Sequence, residues 1–149
     1  MFSGFFSILL NSQAVPIPVA LFVIATGLAT ATGTSWGTFS ILIPIATEVF
    51  PEGSTLLVIA IAAVLAGAVC GDHISPISDT TIMASAGAQC NHVSHVSTQM
   101  PYALVSATAC TVGYTVAGFT QNWLFTVISA LTTLFVILTV MKRRNSKEN

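Results

Sequence analysis

The sequence contains very few charged residues for its length. Asp, Glu, Lys and Arg make up 6% of its 149 residues, whereas hydrophobic residues make up 54%. A soluble domain carries charge on roughly a quarter of its residues. Two long stretches, 1–47 and 96–141, contain no Asp, Glu, Lys, Arg or His. The composition therefore excludes an ordinary soluble domain and predicts a protein embedded in the lipid bilayer.

Basic side chains are missing from the chain except at its C-terminus. All four lie within the last eight positions, at Lys142, Arg143, Arg144 and Lys147. No basic face exists elsewhere, so nucleic-acid binding is excluded. The positive-inside rule places this basic tail, residues 142–149, in the cytoplasm. We therefore expect one membrane domain over residues 1–141, in a multi-pass protein of the cell membrane with a cytoplasmic C-terminus.

Residue patterns that hold metals or redox centres are also absent. Cys70, Cys90 and Cys110 form no C-x-x-C pair, and we interpret them as packing residues. His92 and His95 are three positions apart but lack a third ligand, which favours an interfacial loop over a metal site. No resident cofactor is expected.

The first apolar segment is interrupted by a polar run. Residues 14–32 are long enough to enter a bilayer deeply, since about 20 helical residues span the hydrocarbon. Residues 33–38 contain two glycines and three hydroxyls, and a shorter apolar run, 39–50, follows. Because the second run is too short to cross, we predict a re-entrant helical hairpin that turns at residues 33–38.

A second apolar segment is interrupted in the same way. Residues 56–70 are too few to span the bilayer alone, and they meet a polar break at residues 71–81. A short helical piece, 82–88, follows the break. We interpret these segments together as one discontinuous transmembrane helix.

The rest of the chain predicts a pair of transmembrane helices. Residues 91–100 are polar and are expected at the cytoplasmic interface, and Pro101 is suited to begin a helix. Residues 101–119 and 124–141 are long enough to cross, and a tight turn joins them. The predicted fold class is all-α: a polytopic membrane protein with a re-entrant helical hairpin, a discontinuous transmembrane helix and a C-terminal transmembrane helix pair.

Two aspartates, Asp72 and Asp79, are the acidic residues farthest from any predicted interface. A charged side chain at the bilayer centre costs about 3 kcal/mol on insertion scales, so such a residue is a functional hypothesis by default. Hydroxyls near the two breaks supply the oxygen ligands that a hard cation needs, at Thr34, Ser35, Ser75 and Ser78. Broken helices that meet near the midplane are typical of a transporter site.

Other roles are open for two of these residues. Asp79 precedes a helical piece and is also suited to cap it. His73 is suited either to carry protons or to donate a hydrogen bond to a neighbouring carboxylate. An intramembrane hydrolase, built on paired aspartates or on a serine near His73, lacks the expected sequence context. We therefore do not expect an enzyme.

Four motifs carry a resemblance to a known family. They are A-T-G-T-S-W-G-T-F at 31–39, I-L-I-P-I-A at 41–46, G-D-H-I-S-P-I-S-D-T-T at 71–81 and C-N-H-V-S-H-V-S-T-Q-M-P-Y-A at 90–103. Together they resemble signatures of NhaC-type sodium/proton antiporters, in the C-terminal half of such a protein. The resemblance implies a member of the ion transporter superfamily, built from two inverted halves that each hold a re-entrant hairpin and a discontinuous helix.

The function expected from residues and resemblance together is exchange of Na+ for H+. One carboxylate would bind either ion but not both, with Asp72 as the first choice and Asp79 as the second. Full members of the family are several times longer, so a second polypeptide is a candidate partner that supplies the missing half. The alternatives are cation-coupled antiport of organic acids such as malate and lactate, or a non-transporting fragment or subunit.

Overall fold

The structure, a computed structural model, describes residues 16–148, with side chains described to residue 143. Within these residues the chain is entirely helical apart from turns and short connections. The helices are α1 (Ile17–Thr32), α2 (Ser35–Val49), α3 (Thr55–Ile74), α4 (Asp79–Gly87), α5 (His92–Thr120) and α6 (Trp123–Glu148). Three segments are long and apolar enough to cross a membrane: Thr55–Ile74, His92–Thr120 and Trp123–Arg143. The predicted all-α, multi-pass membrane protein is confirmed.

The first hairpin turns within two residues. Gly33 ends α1 with φ at +68°, a left-handed conformation that favours glycine, and Thr34 begins α2 by accepting a hydrogen bond from the Gly37 N–H at 3.3 Å. The predicted break at 33–38 was therefore too long. Its hydroxyls cap and bond the new helix: Thr38 Oγ1 donates to the Thr34 carbonyl oxygen at 2.9 Å.

Both arms of this hairpin are short. The 16 residues of α1 and 15 of α2 correspond to about 24 and 22 Å of helix, less than the roughly 30 Å of hydrocarbon in a bilayer. The first two positions of the predicted segment 14–32 lie outside the described residues. Both described arms are thus shorter than a membrane-spanning helix, as the predicted re-entrant hairpin requires.

The second break is shorter than predicted and begins later. Helix α3 continues through Asp72 and His73 to Ile74, and the non-helical segment is only 75–78. Pro76 explains this end, because proline disfavours helical backbone at the preceding residue, and Ser75 has φ −76° and ψ 126°. Polar side chains alone did not interrupt α3. We call residues 75–78 the α3–α4 break.

Helices α1 and α3 run parallel in very close contact. A Cβ added to Gly67 would overlap the Phe22 carbonyl oxygen, and one added to Gly71 would overlap the Thr26 carbonyl oxygen. Small residues of this kind let helix backbones approach within a membrane. Thr30 Oγ1 lies 3.3 Å from the Gly71 carbonyl oxygen and adds a polar contact. The contact moves from Phe22 to Thr26 along α1 as it moves from Gly67 to Gly71 along α3, so the two helices run parallel.

The buried core joins the hairpin to α3. Its members are apolar side chains from α1, α2 and α3 and the residue after α2: Leu21, Ala25, Ala29, Leu42, Ala46, Phe50, Leu56, Ala60, Val64 and Ala68. Half of these ten residues are alanine, which keeps the three helices close together. The core therefore fixes the hairpin against the first part of the discontinuous helix.

The C-terminal helix pair is confirmed, but its first helix begins earlier than predicted. Asn91 caps α5 by accepting a hydrogen bond from the Ser94 N–H at 3.1 Å, and Pro101 lies inside the helix. Proline inside a helix removes one backbone donor, here the one that would reach the Ser97 carbonyl. The segment 91–100 thus forms most of the first three turns of α5 instead of a separate interfacial loop.

Helix α6 folds back on α5 after a two-residue turn. Gln121 ends α5 with φ at +48°, and Asn122 Oδ1 accepts from the Leu124 N–H at 2.9 Å. The helix continues past Arg143 to Glu148. No side chain of the segment Trp123–Arg143 is buried, so most of its surface is available to lipid or to other helices.

Candidate functional site

The two interruptions of the helices meet in space. A Cβ added to Gly33 would lie 2.8 Å from both the Cγ1 atom and the carbonyl oxygen of Ile77. The turn of the hairpin therefore touches the α3–α4 break directly, as the sequence predicts. This contact brings the polar residues of two chain segments to one place inside the helical layer.

Asp72 is the buried carboxylate of this region. It lies in the last turn of α3 with 6% of its surface exposed. Its Oδ1 atom has no hydrogen-bond partner among the described residues, and its Oδ2 atom lies 3.5 Å from Thr80 Oγ1. A buried carboxylate oxygen without a donor is costly, because desolvation disfavours the charge. Such an atom is suited to bind a proton or a small cation.

Two hydroxyls form a chain of hydrogen bonds that ends at the Asp72 carboxylate. Thr80 Oγ1 donates toward Asp72 Oδ2, and it lies 2.8 Å from Ser78 Oγ. Since a hydroxyl has one proton to give, Ser78 is the donor to Thr80 in this arrangement. Thr80 was not among the predicted site residues. Its position, eight residues after Asp72 and beyond the break, gives no periodic signal in the sequence.

The two serines of the α3–α4 break are fully buried. Ser75 and Ser78 both have 0% exposure, and Ser75 Oγ accepts a hydrogen bond from the Ile77 N–H at 3.4 Å. The nearby C-terminal end of α3 adds partial negative charge from its free carbonyl groups. Buried hydroxyl oxygens beside a carboxylate form the kind of oxygen-rich surroundings that a hard cation prefers.

Thr34 and Ser35 follow Gly33 in the hairpin, and within the described residues neither side chain is hydrogen-bonded to the Asp72 region. Thr34 Oγ1 is engaged in capping α2, and Ser35 is half-buried in its first turn. No hydrogen bond joins either hydroxyl to Asp72 or Ser75 among the described side chains. The hairpin reaches the site through the Gly33 backbone, and these two hydroxyls lie beside that contact.

Asp79 and His73 are placed differently from Asp72. Asp79 is exposed as the first residue of α4, and its Oδ1 accepts a hydrogen bond from the Thr80 N–H at 2.7 Å. The capping position itself is held by Ser78. His73 is also exposed, and its Nδ1 lies 3.2 Å from the Val69 carbonyl oxygen, which requires a proton on Nδ1. Neither side chain contacts the Asp72 carboxylate.

The sequence predicts that His92 lies in an interfacial loop, but its ring makes two hydrogen bonds to other parts of the structure. It is half-buried as the first residue of α5, with Nε2 2.7 Å from the Pro76 carbonyl oxygen and Nδ1 3.0 Å from Ser85 Oγ. His95 does not join it in a metal site. Within residues 16–148, no group of three His, Cys, Asp or Glu residues is placed to hold a metal ion.

Comparison with known proteins gives a consistent family match. The sequence pattern of the Na+/H+ antiporter family matches residues 3–119, which is more than half of the chain. This match agrees with the resemblance carried by the motifs around both interruptions. No solved structure matches the chain.

Two curated relatives are longer than this chain. An uncharacterised protein of Haemophilus influenzae is 50% identical over 129 residues, which cover 86% of the chain and 25% of that protein. The Malate-2H(+)/Na(+)-lactate antiporter of Bacillus subtilis is 33% identical over 102 residues, which cover 68% of the chain and 22% of that protein. The chain thus spans about a quarter of the length of these relatives.

Proposed function

This chain belongs to the Na+/H+ antiporter family, and on that premise we propose that it carries the ion-coupling site of a secondary transporter that exchanges Na+ for H+. The observation that supports this most directly is the buried Asp72 carboxylate, one oxygen of which has no hydrogen-bond partner among the described residues. In this proposal the ions are the cargo, no resident cofactor takes part, and the chain is not an enzyme.

The coupling step follows from the chemistry of the Asp72 carboxylate. An unpartnered carboxylate inside a membrane is unfavourable, and either a proton or a sodium ion relieves the charge. A proton on the carboxyl group removes the negative charge that attracts Na+, so the two ions compete. When the loaded site is exposed alternately to each side, this competition couples inward movement of one ion to outward movement of the other.

The proposed oxygen shell is built around that carboxylate. Ser78 is buried and reaches the carboxylate through Thr80, and Ser75 is buried three residues after Asp72. Thr34 and Ser35 belong to the hairpin. Asp79 is the second candidate carboxylate, although its exposure favours Asp72. Because His73 is exposed and bonds within its own helix, its proposed part is limited to exchanging protons with solvent.

The transporter in which this site works is larger than the chain. Because the chain spans about a quarter of the length of the relatives, we propose that further helices complete the transport path. They would be supplied by the same gene product or by a separately encoded polypeptide. The cell membrane and a cytoplasmic C-terminus remain the proposed location and orientation, because the basic cluster supports both.

A second candidate function is cation-coupled antiport of organic acids. It is favoured by the 33% identity to the Malate-2H(+)/Na(+)-lactate antiporter. An outward lactate gradient or an inward malate gradient should then drive proton movement that a sodium gradient alone does not drive. Simple Na+/H+ exchange predicts proton movement with sodium alone.

Both candidates are tested with Asp72→Asn in the complete transporter that carries this chain. Asparagine keeps the shape of aspartate but cannot take up and release a proton, so we expect coupled proton flux to fall to the level of vesicles without transporter. The measurement is sodium-driven proton flux in inverted membrane vesicles, repeated with malate and lactate gradients. Asp79→Asn is compared with it as the second candidate carboxylate and should weaken the flux less, with protein amounts compared by immunoblot. Wild-type flux from Asp72→Asn would exclude Asp72 as the coupling group.

A further inference from the structure

Helix α5 contacts the end of α3 and the α3–α4 break through two side chains that the proposed exchange reaction does not use. His92 Nε2 lies 2.7 Å from the Pro76 carbonyl oxygen, and Gln99 Nε2 donates to the His73 carbonyl oxygen at 3.2 Å. His92 and Gln99 are seven positions apart, which is about two helical turns and places them on one face. The two carbonyls that they contact lie on either side of Ser75.

These carbonyl groups need partners for a physical reason. The last carbonyls of a helix have no donor within that helix, and backbone that is not helical at membrane depth must be satisfied by the surrounding protein. The His73 carbonyl belongs to the last turn of α3, and the Pro76 carbonyl belongs to the break itself. Helix α5 therefore supplies donors where the interruption of α3 leaves carbonyl oxygens free.

The His92 ring is held from both sides. A carbonyl oxygen only accepts, so Nε2 carries a proton, and in the neutral ring Nδ1 accepts from the hydroxyl of Ser85. Ser85 is buried at 2% exposure in α4. One ring thus joins the α3–α4 break, α4 and the start of α5. It fixes the distance between the two parts of the discontinuous helix.

From this arrangement we propose that His92 and Gln99 are positioning residues for the ion site. By holding the Pro76 and His73 carbonyls, they fix the backbone that carries Asp72 and Ser75 on one side and Ser78 on the other. This inference rests on the proposed function, because the geometry that it protects is that of the proposed sodium ligands. Neither residue touches the ion.

The test replaces the donor and then restores it. His92→Leu removes the Nε2 donor and keeps an apolar side chain of moderate size, while His92→Gln provides an amide N–H within reach of the Pro76 carbonyl. The control is His95→Leu on the same helix, because His95 makes no described hydrogen bond to the break. Gln99→Leu tests the second contact.

Two measurements on the complete transporter separate positioning from folding. Hydrogen–deuterium exchange of residues 75–82 in nanodiscs reports how firmly the break is held. The sodium dependence of proton flux in vesicles gives the apparent KM for Na+ and the maximal rate. For His92→Leu we expect faster exchange and a KM for Na+ raised about fivefold, the change that loss of one hydrogen bond produces. His92→Gln and His95→Leu should stay near wild type.

Each other outcome contradicts the proposal. Faster exchange in His92→Leu with an unchanged KM for Na+ would make His92 structural only, and a KM that His92→Gln fails to restore would have the same meaning. If His92→Leu does not accumulate, Gln99→Leu decides the question by the same two measurements. Failure of the proposed function is seen separately, as wild-type flux in Asp72→Asn, while the exchange data still report whether α5 holds the break.

Discussion

At the scale of single residues, the two aspartates lie in opposite surroundings. Asp72 is buried at the end of α3 with one oxygen unpartnered, whereas Asp79 is exposed at the start of α4 and accepts a backbone hydrogen bond. A carboxylate at the N-terminus of a helix is stabilised by the helix dipole. The charge of Asp79 is therefore stabilised by its own helix, while one oxygen of Asp72 has no donor among the described residues.

Gly33 provides a prediction about the contact between the hairpin and the break. Gly33→Ala should destabilise the protein, because φ is +68° there and the new Cβ would meet Ile77 at 2.8 Å. The left-handed conformation costs about 1–2 kcal/mol for a residue with a Cβ, and the overlap costs about 1–3 kcal/mol more. Thermal unfolding in detergent, followed by tryptophan fluorescence, measures the sum.

Gly53→Ala is the matched control for that substitution. Gly53 also has a positive φ, +76°, but nothing lies within 4 Å of an added Cβ. It should therefore show the conformational cost alone. Equal losses of stability in the two variants would mean that the contact between Gly33 and Ile77 contributes nothing.

Some of these residues could be predicted from the sequence and others could not. Asp72 stood out because a charged residue within apolar sequence is costly unless it has a function. Thr80 and Gln99 did not stand out, and His92 stood out only as a possible metal ligand. Their contacts with the end of α3 and the α3–α4 break join positions that are 8, 26 and 16 residues apart. Because the helix is interrupted between these positions, no continuous helical or strand period connects them. Only the folded chain brings them together.

At the scale of helices, the close contact of α1 and α3 depends on glycine. Gly67→Ala should lower the stability by about 1–3 kcal/mol, because the new methyl group overlaps the Phe22 carbonyl oxygen and the helices must separate. Gly27→Ala is the control, since nothing lies within 4 Å of its added Cβ. The control should gain about 0.5–1 kcal/mol from helix propensity. Thermal unfolding of both variants tests the difference, and equal stabilities would contradict it.

Helices α3 and α5 show that a proline in the sequence does not by itself predict where a helix ends. Both Pro76 and Pro101 are obvious interruptions in the sequence, yet α3 ends just before Pro76 and α5 continues through Pro101. The difference lies outside the local sequence. The Pro76 carbonyl finds a donor in His92, whereas Pro101 and the Ser97 residue it affects are exposed. Tertiary partners decide which proline ends a helix.

At the scale of the whole molecule, the antiparallel pair α5 and α6 determines the topology of the ends. The start of α5 and the end of α6 lie on one side, and the basic residues near the end of α6 support the proposal that this side is cytoplasmic. Cys90, exposed just before α5, is a natural reporter. A membrane-impermeant maleimide should label it in inverted vesicles and not in intact cells, with Cys90→Ser as the control. Labelling from outside the cell would reverse the orientation.

The glycine contacts between α1 and α3 have a consequence for movement. Gly67 and Gly71 receive the carbonyl oxygens of Phe22 and Thr26 directly against the backbone, so at these two positions no side chain of α3 separates the helices. Packed surfaces of this kind shift between discrete arrangements or not at all. We therefore expect the hairpin and the first part of the discontinuous helix to move together. In the proposed exchange cycle, the surfaces that open toward each face of the membrane would be ones that α1 and α3 do not share.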